Sequence, residues 1–262
     1  MLSVTAAQLD AWVLSLMLPL ARILGLMASA PLLSNRGVPA RIRLAIGLAV
    51  GMAVIPALPD IPPMPADSWM VLGILAQQAL IGVAVGFTMR LFFAAIDLAG
   101  EMIGLQMGLS FAVFFSPQTG GQSSVIAEFL NLLTLLVFLA LNGHLMLIQV
   151  LVMSFEWLPI GEATRSEAWL VIVRHASVMF SLGVLLSLPI VAALLITNIA
   201  LGVLTRAAPQ LNLFAVGFPV TLSVGFLILF VSLSMFAPMA QLLFERGFEA
   251  VDLMLKALAP TP

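Results

Sequence analysis

WMVLGILAQQALIGVAVGFTMRLFF, running from Trp69 to Phe93, is the stretch whose reading decides the fold class. Its only charged residue is Arg90, and it exceeds the ~20 apolar residues that carry a helix across ~30 Å of hydrocarbon. A Pro-rich acidic segment, Pro59 to Asp67, leads into it and reads as a loop. Comparable blocks flank it on both sides. Ala11–Leu33 and Ile42–Leu58 come before, the second preceded by Arg36, Arg41 and Arg43. A weaker, interrupted stretch follows from Asp97 to Phe115, then Val125–Leu141, a short block Leu145–Leu158, Trp169–Leu204 and Leu211–Phe244. The last two are too long for one straight span. Pro189 predicts a kink or bend in the first, and the second contains Gly217, Pro219 and Pro238. The pattern predicts an all-α membrane protein, a single helical domain over 1–262 with about six long, partly kinked apolar helices. Residues 97–124 and 145–158 are expected to be re-entrant or interfacial.

Ala28-Ser29-Ala30 resembles a signal-peptide cleavage site. However, Asp10 stands where Lys or Arg would be needed, Arg22 interrupts the apolar run and Pro31 follows the cut. A retained helix is the expectation. Arg36, Arg41, Arg43, Arg90 and Arg206 fall at alternate ends of the strong blocks, which places them in the cytoplasm by the positive-inside rule. All four tryptophans (Trp12, Trp69, Trp157, Trp169) fall near the opposite ends, where interfacial aromatics belong. Arg165 and Arg174 lie on the wrong side for this scheme, which otherwise leaves both termini outside.

Composition narrows the function. Hydrophobic residues make up 62% of the 262 and charged ones 8%, against about 25% charged in soluble domains. A mean hydropathy of +1.19 agrees. There is no basic run, so no nucleic-acid partner is expected. Cysteine and tyrosine are absent, lysine occurs once (Lys256) and histidine twice (His144, His175). That short supply excludes thiol chemistry, thiolate metal sites and a P-loop. It argues against an enzyme, a metal site or a bound cofactor.

Several polar groups sit at membrane depth: Arg22, Gln77, Gln78, Asp97, Glu101, Gln106, Glu128, Asn131 and Asn198. A central Asp, Lys or Arg costs roughly 2.5–3.5 kcal/mol in lipid, so each calls for a partner inside the bundle. Collectively they suggest that much of the apolar surface faces protein. Gly47/Gly51 and Gly82/Gly86 are GxxxG pairs, and Gly100, Gly104 and Gly108 form a three-glycine stripe. Such faces permit close helix approach, either within the chain or against another subunit, and glycine also weakens a helix enough to let it change shape. The stripe runs into FAVFFSPQTGG, residues 111–121. Phenylalanines leading into loop residues at membrane depth suit a re-entrant anchor or a hydrophobic constriction closing a pore. Fifteen methionines suit a seal around a variable cargo, or simple core filling.

EMIGLQMGLSFA, residues 101–112, resembles the central motif of the FliR family of flagellar type III export proteins. Asn142-Gly143-His144-Leu145 is similar to its mid-chain motif, and LGVLTRAAPQLN (201–212) with Gly217-Phe218-Pro219 to its C-terminal one. The segment from Ala30-Pro31 to Arg43 resembles its first cytoplasmic turn. The likeness covers essentially the whole chain. It implies helical hairpins packed in a hetero-oligomeric export gate of the bacterial inner membrane and flagellar basal body, partly raised above the bilayer. It implies FliP- and FliQ-type partners, further FlhA- and FlhB-type components, and unfolded flagellar subunits as cargo. By position it makes Phe111, Phe114 and Phe115, preceded by Gln106 and Met107, the plug of the closed channel. Gly100, Gly104 and Gly108 would be the stretch along which the plug moves. Glu101, His144, Arg206, Pro209, Gln210 and Asn212 are the polar and turn residues of the motifs. Arg206, Gln210 and Asn212 could line an entrance or cap a helix end, and His144 reads as a turn or cap residue ahead of a proton carrier. An injectisome homologue is the near alternative. A secondary transporter would need two related halves, and no internal repeat is visible. An intramembrane protease lacks a Gly-x-Ser-Gly site or a second membrane Asp.

Overall fold

The computed structural model describes residues 5–33, 37–58, 68–109, 124–165, 169–208 and 213–259. Among them there are only helices and turns: α1 Ala6–Ser29, α2 Ala40–Val54 with a 3-10 turn Ile55–Ala57, α3 Trp69–Gln106, α4 Val125–Ala140, α5 Gly143–Trp157, α6 Trp169–Ala207 and α7 Leu213–Leu258. Five are long and apolar enough to cross a membrane, and α4 with α5, broken at Leu141–Asn142, makes up to six. The chain is therefore an all-α protein of membrane-spanning composition, with the expected number of spans.

Local chemistry explains where the helices start and stop. Thr5 and Gln8 form a capping box at α1, each side chain bonded to the other's backbone N–H. Ala30, which precedes Pro31, turns extended and ends the helix. Pro56 tightens the end of α2 into the 3-10 turn. α3 departs from the expectation of a break after Phe93. It continues through Asp97 and Gly100 to Gln106 because a buried stripe of Phe92, Ile96, Ala99, Ile103 and Met107 runs on at helical spacing. Residues 97–106 are thus not a separate interfacial segment. α6 and α7 also run unbroken through Pro189, Pro219 and Pro238. Hydroxyls near these prolines return bonds to the preceding turn: Ser187 Oγ to Val184 O at 2.9 Å, and Thr221 Oγ1 to Gly217 O at 3.1 Å.

The chain divides into two compact units, and α3, α6 and α7 each contribute to both. The first comprises residues 1–91, 142–175 and 244–262. Here α1 and α2 form an antiparallel hairpin, with Gly47 opposite Leu24 and Gly51 opposite Leu20. α1 and α3 run parallel at backbone contact: Gly82 lies on Arg22 and Leu26, Gly86 on Ser29 and Ala30, and Gly25 on Ala79 and Val83. Both GxxxG pairs of this region therefore serve contacts within the chain.

Arg22 lies on the buried stripe of α1 with Leu14, Leu18 and Leu26, fully enclosed. All five of its N–H groups are used. Nε (2.8 Å) and Nη2 (2.5 Å) donate to Gln78 Oε1, Nη1 to Ser154 O (2.8 Å) and Oγ (3.0 Å), and Nη2 also to Leu158 O (2.8 Å). The Phe155 ring covers the guanidinium at 4.0 Å. One side chain thereby ties α1, α3 and α5 together. The C-terminal part of α7 closes the unit with Ala250, Val251, Met254, Leu255 and Leu258 buried, and Arg165 N donates to Leu258 O at 3.3 Å.

The second unit comprises residues 92–141 and 176–243. Phe93 and Phe138 meet edge to face at 5.4 Å. Gly183 of α6 packs on Ala95 O and Leu98 of α3, at 2.9 and 2.8 Å from where a Cβ would lie. An apolar cavity of about 320 Å³ lies among Ile96 and Ile103 of α3, Leu130 of α4, Ile190 of α6 and Leu229 and Phe236 of α7.

Candidate functional site

The central motif occupies the last two turns of α3 and ends in a helix stop. Gly108 takes φ +80°, a left-handed conformation that glycine adopts without strain. Its N–H donates to Leu105 O at 3.0 Å, and Leu109 N–H donates to Gly104 O, also at 3.0 Å. This pair of bonds is the Schellman motif, which satisfies the last carbonyls of a helix and turns the chain away. Gly108 has a different task from the other two glycines of its stripe.

The chain comes back into the described structure at Ser124, fourteen residues after Ser110 begins the intervening segment. Ser124 is the N-cap of α4, with Oγ accepting from Ile126 N at 3.3 Å. Its own backbone N–H donates to Glu101 Oε1 at 2.7 Å. Gly104 touches Ser124 so closely that a Cβ there would lie 2.8 Å from Ser124 Cβ, and Gly100 lies on the Ala127 backbone in the same way. The outgoing chain at Leu109 and the incoming chain at Ser124 are therefore both fixed on Gly104, one through its carbonyl and the other through its bare Cα. The glycine stripe serves an intramolecular contact, α3 on the start of α4. Glu128, in the first turn of α4, adds a negative charge where the helix dipole favours one.

α7 supplies the third side of this neck. A Cβ on Gly108 would meet the Phe218 ring at 3.1 Å, and Gly225 gives space to the Met107 side chain, whose Sδ would be 2.9 Å from a Cβ there. Met107 is fully buried, Gln106 and Glu101 are half-buried, and Leu105 is exposed. Gly100, Glu101, Gly104, Met107 and Gly108 are thus brought together. Phe111, Phe114, Phe115, Pro209, Gln210 and Asn212 lie outside the described residues.

The other motif residues stand elsewhere. His144 is in the first turn of α5, with Nδ1 buried and unpartnered among the described residues. The preceding Asn142 makes the break between α4 and α5 by adopting φ 56°, ψ 27°, a conformation that Asn tolerates better than most residues. Arg206 is exposed in the last turn of α6, where a cation complements the dipole. Sequence reasoning missed Ser124, Phe218 and Gly225 as parts of the neck. A serine just before an apolar run is an N-cap signal, and it was available for Ser124. Nothing local singles out Gly225 from the other small residues of α7. Among the described residues no group of three or more His, Cys, Asp or Glu could hold a metal ion.

Comparison with known proteins bears on this arrangement. The family described as "Bacterial export proteins, family 1" matches residues 13–247. The flagellar biosynthetic protein FliR of Escherichia coli K12 is 44% identical over 249 residues, covering 95% of each chain. That of Pectobacterium carotovorum is 43% identical with the same coverage, and that of Bacillus subtilis 30% identical over 88% of this chain and 90% of its own. These names describe flagellar biosynthesis and export and none names a reaction. With matches that span nearly its full length and take in every motif quoted above, the chain belongs to the FliR family of flagellar biosynthetic proteins.

Proposed function

We propose that this chain is a core subunit of the flagellar protein export gate in the bacterial inner membrane. In this reading it assembles with FliP- and FliQ-type subunits around a channel for unfolded flagellar subunits, beside FlhA- and FlhB-type components. The segment containing Phe111, Phe114 and Phe115 closes the channel at rest. Its phenyl groups meet apolar groups of neighbouring subunits and exclude water and ions by dewetting. Opening moves this segment aside and admits a chain in a width too narrow for a folded domain.

The observation that carries this reading is the neck. A phenylalanine-rich segment that leaves at Leu109 and returns at Ser124, with both ends fixed on Gly104, issues from one rigid point. That suits a plug, which must meet its partners in register, better than a tether. Gln106, half-buried beside the neck, is the polar group at its edge, and the buried Met107 seats the neck on α7.

Replacing Phe114 and Phe115 with Gly tests the reading. Ion leakage in cells expressing the gate is expected to rise while the variant still co-purifies with FliP- and FliQ-type subunits. Wild-type leakage from an intact assembly overturns it.

A further inference from the structure

We propose that the apolar cavity of the second unit takes one acyl chain of a membrane lipid. The site lies wholly within that unit and is independent of the closing role proposed for residues 111–115.

The floor of the cavity is formed by the buried side chains of Ile96 and Ile103 on α3, Leu130 on α4, Ile190 on α6 and Leu229 on α7. Pro189 of α6 and Val231, Met235 and Met239 of α7 also line it but are exposed, so the cavity opens outward past these two helices. Protein interiors hold few voids larger than a water molecule. At about 320 Å³ this one is roughly twice the ~150 Å³ apolar cavity that takes up benzene. Among the described residues Ser232 is the only polar side chain on its wall. An ordered water needs roughly two to four polar partners, so water does not fill it.

Helix length fixes what the mouth faces. Large apolar side chains are exposed on α6 from Leu170 to Leu204 and on α7 from Val216 to Leu253. At ~1.5 Å per residue Pro189 stands about 29 and 23 Å from the two ends of its band, and Met235 about 29 and 27 Å from the ends of its own. A hydrocarbon layer of ~30 Å placed anywhere within the bands therefore takes in both residues, and the mouth faces lipid tails.

The occupant has to be thin as well as apolar. A helix is about 10–12 Å across, and one turn of it occupies roughly 400 Å³ or more, which exceeds the cavity. An extended polypeptide would bring backbone N–H and C=O groups that these walls leave unsatisfied. An acyl chain brings neither difficulty. A methylene is close in volume to a water molecule in the liquid, ~30 Å³, so the cavity takes on the order of ten methylenes of one chain.

To test this, the chain is purified with the subunits that accompany it and reconstituted in vesicles of phosphatidylethanolamine and phosphatidylglycerol. Some of the phosphatidylethanolamine carries a diazirine near the end of one acyl chain, and residues labelled on illumination are located by mass spectrometry. Label is expected on the floor, at Ile96, Ile103 or Leu130, as well as on Ile199, which is exposed on α6 outside the cavity. Ser232→Phe, which sets a ring on the wall, is expected to lower the floor label by roughly 10-fold, the effect of displacing about two methylenes from an apolar site. It is expected to leave the label on Ile199 unchanged. An unlabelled floor overturns the proposal, and so does floor label that Ser232→Phe leaves as in the wild type. Cross-links from photo-methionine at Met235 or Met239 into a neighbouring subunit, with the floor unlabelled, would give the cavity to a protein side chain and overturn it too. Should Ser232→Phe fail to assemble, Ser232→Leu is read in its place by the same criteria.

Discussion

Replacing Arg22 with Met removes all five hydrogen bonds of the guanidinium at once while nearly keeping its volume. Ser154 O also accepts from Leu158 N at 3.0 Å, and Ser154 Oγ donates to Leu151 O at 2.6 Å, so that residue stays satisfied. Gln78 Oε1 and Leu158 O lose their donors in a fully buried site. Each orphaned acceptor costs about 1–3 kcal/mol. Against this, Met no longer requires desolvation of a charge, a cost of several kcal/mol per ion in the wild type. The expected net loss is about 2–4 kcal/mol. Gln78→Leu alone should cost about 3–5 kcal/mol, since it leaves a buried cation short of its acceptor. The double variant removes both halves of the interaction and should cost at least ~1 kcal/mol less than the sum of the singles. Denaturant unfolding in mild detergent, followed by tryptophan fluorescence, reads all four proteins. Additivity within ~0.5 kcal/mol, or a loss under ~1 kcal/mol for Arg22→Met, would refute the view that this guanidinium ties α1, α3 and α5 together.

The glycines give sharper contrasts in the same assay. Gly82→Ala would set a Cβ 2.8 Å from Arg22 C and 2.9 Å from Leu26 N; backbone cannot swing aside, so a loss of about 3 kcal/mol is expected. Gly73→Ala meets nothing within 4 Å and should be neutral or stabilise by up to ~1 kcal/mol through helix propensity. Gly108→Ala puts a side chain at φ +80° and against the Phe218 ring; it should cost about 1–2 kcal/mol for the left-handed backbone alone, and Gly108→Asn should recover part of that. Asn142→Ala is expected to lose about 1 kcal/mol and Asn142→Gly to stay near the wild type, because only the φ of 56° matters there.

Much of this was legible in the sequence because apolar length is a loud signal. The number of spans and the helical class follow from runs such as Trp69–Phe93. What the sequence pattern obscured is continuity. Asp97 and Glu101 make residues 94–106 look weak on average, yet the buried residues Ile96, Ala99 and Ile103 keep α3 intact. A mean over a window hides a stripe. The prolines do not end the helices they sit in: α6 and α7 keep their helical course past Pro189, Pro219 and Pro238. Arg22 was rightly expected to be paired, but its partners lie 56 to 136 residues away, and no local pattern points to them. The glycine stripe read as one feature proves to be two. Gly100 and Gly104 admit the start of α4, whereas Gly108 ends the helix, and only backbone geometry separates these tasks.

The same helices also limit how this chain can lie in a bilayer. On α6 large apolar side chains are exposed from Leu170 to Leu204, and on α7 from Val216 to Leu253. At 1.5 Å per residue these bands extend about 51 and 56 Å, against a hydrocarbon thickness of ~30 Å. Fitting them wholly into lipid would need straight helices tilted by more than ~50°, beyond the ~40° limit of transmembrane helices. Even at that limit lipid covers only ~39 Å of each. Only 22% and 17% of their most apolar windows are buried within the chain itself, compared with 67% for α3. A turn or more of each band therefore lies beyond what lipid and the described residues of this chain cover. Extended apolar surface left in water marks a protein contact, which supports the proposed assembly. The surplus length thus supports the proposed assembly without appeal to resemblance, and one of the two helices, α7, is also the one that seats the neck through Phe218 and Gly225.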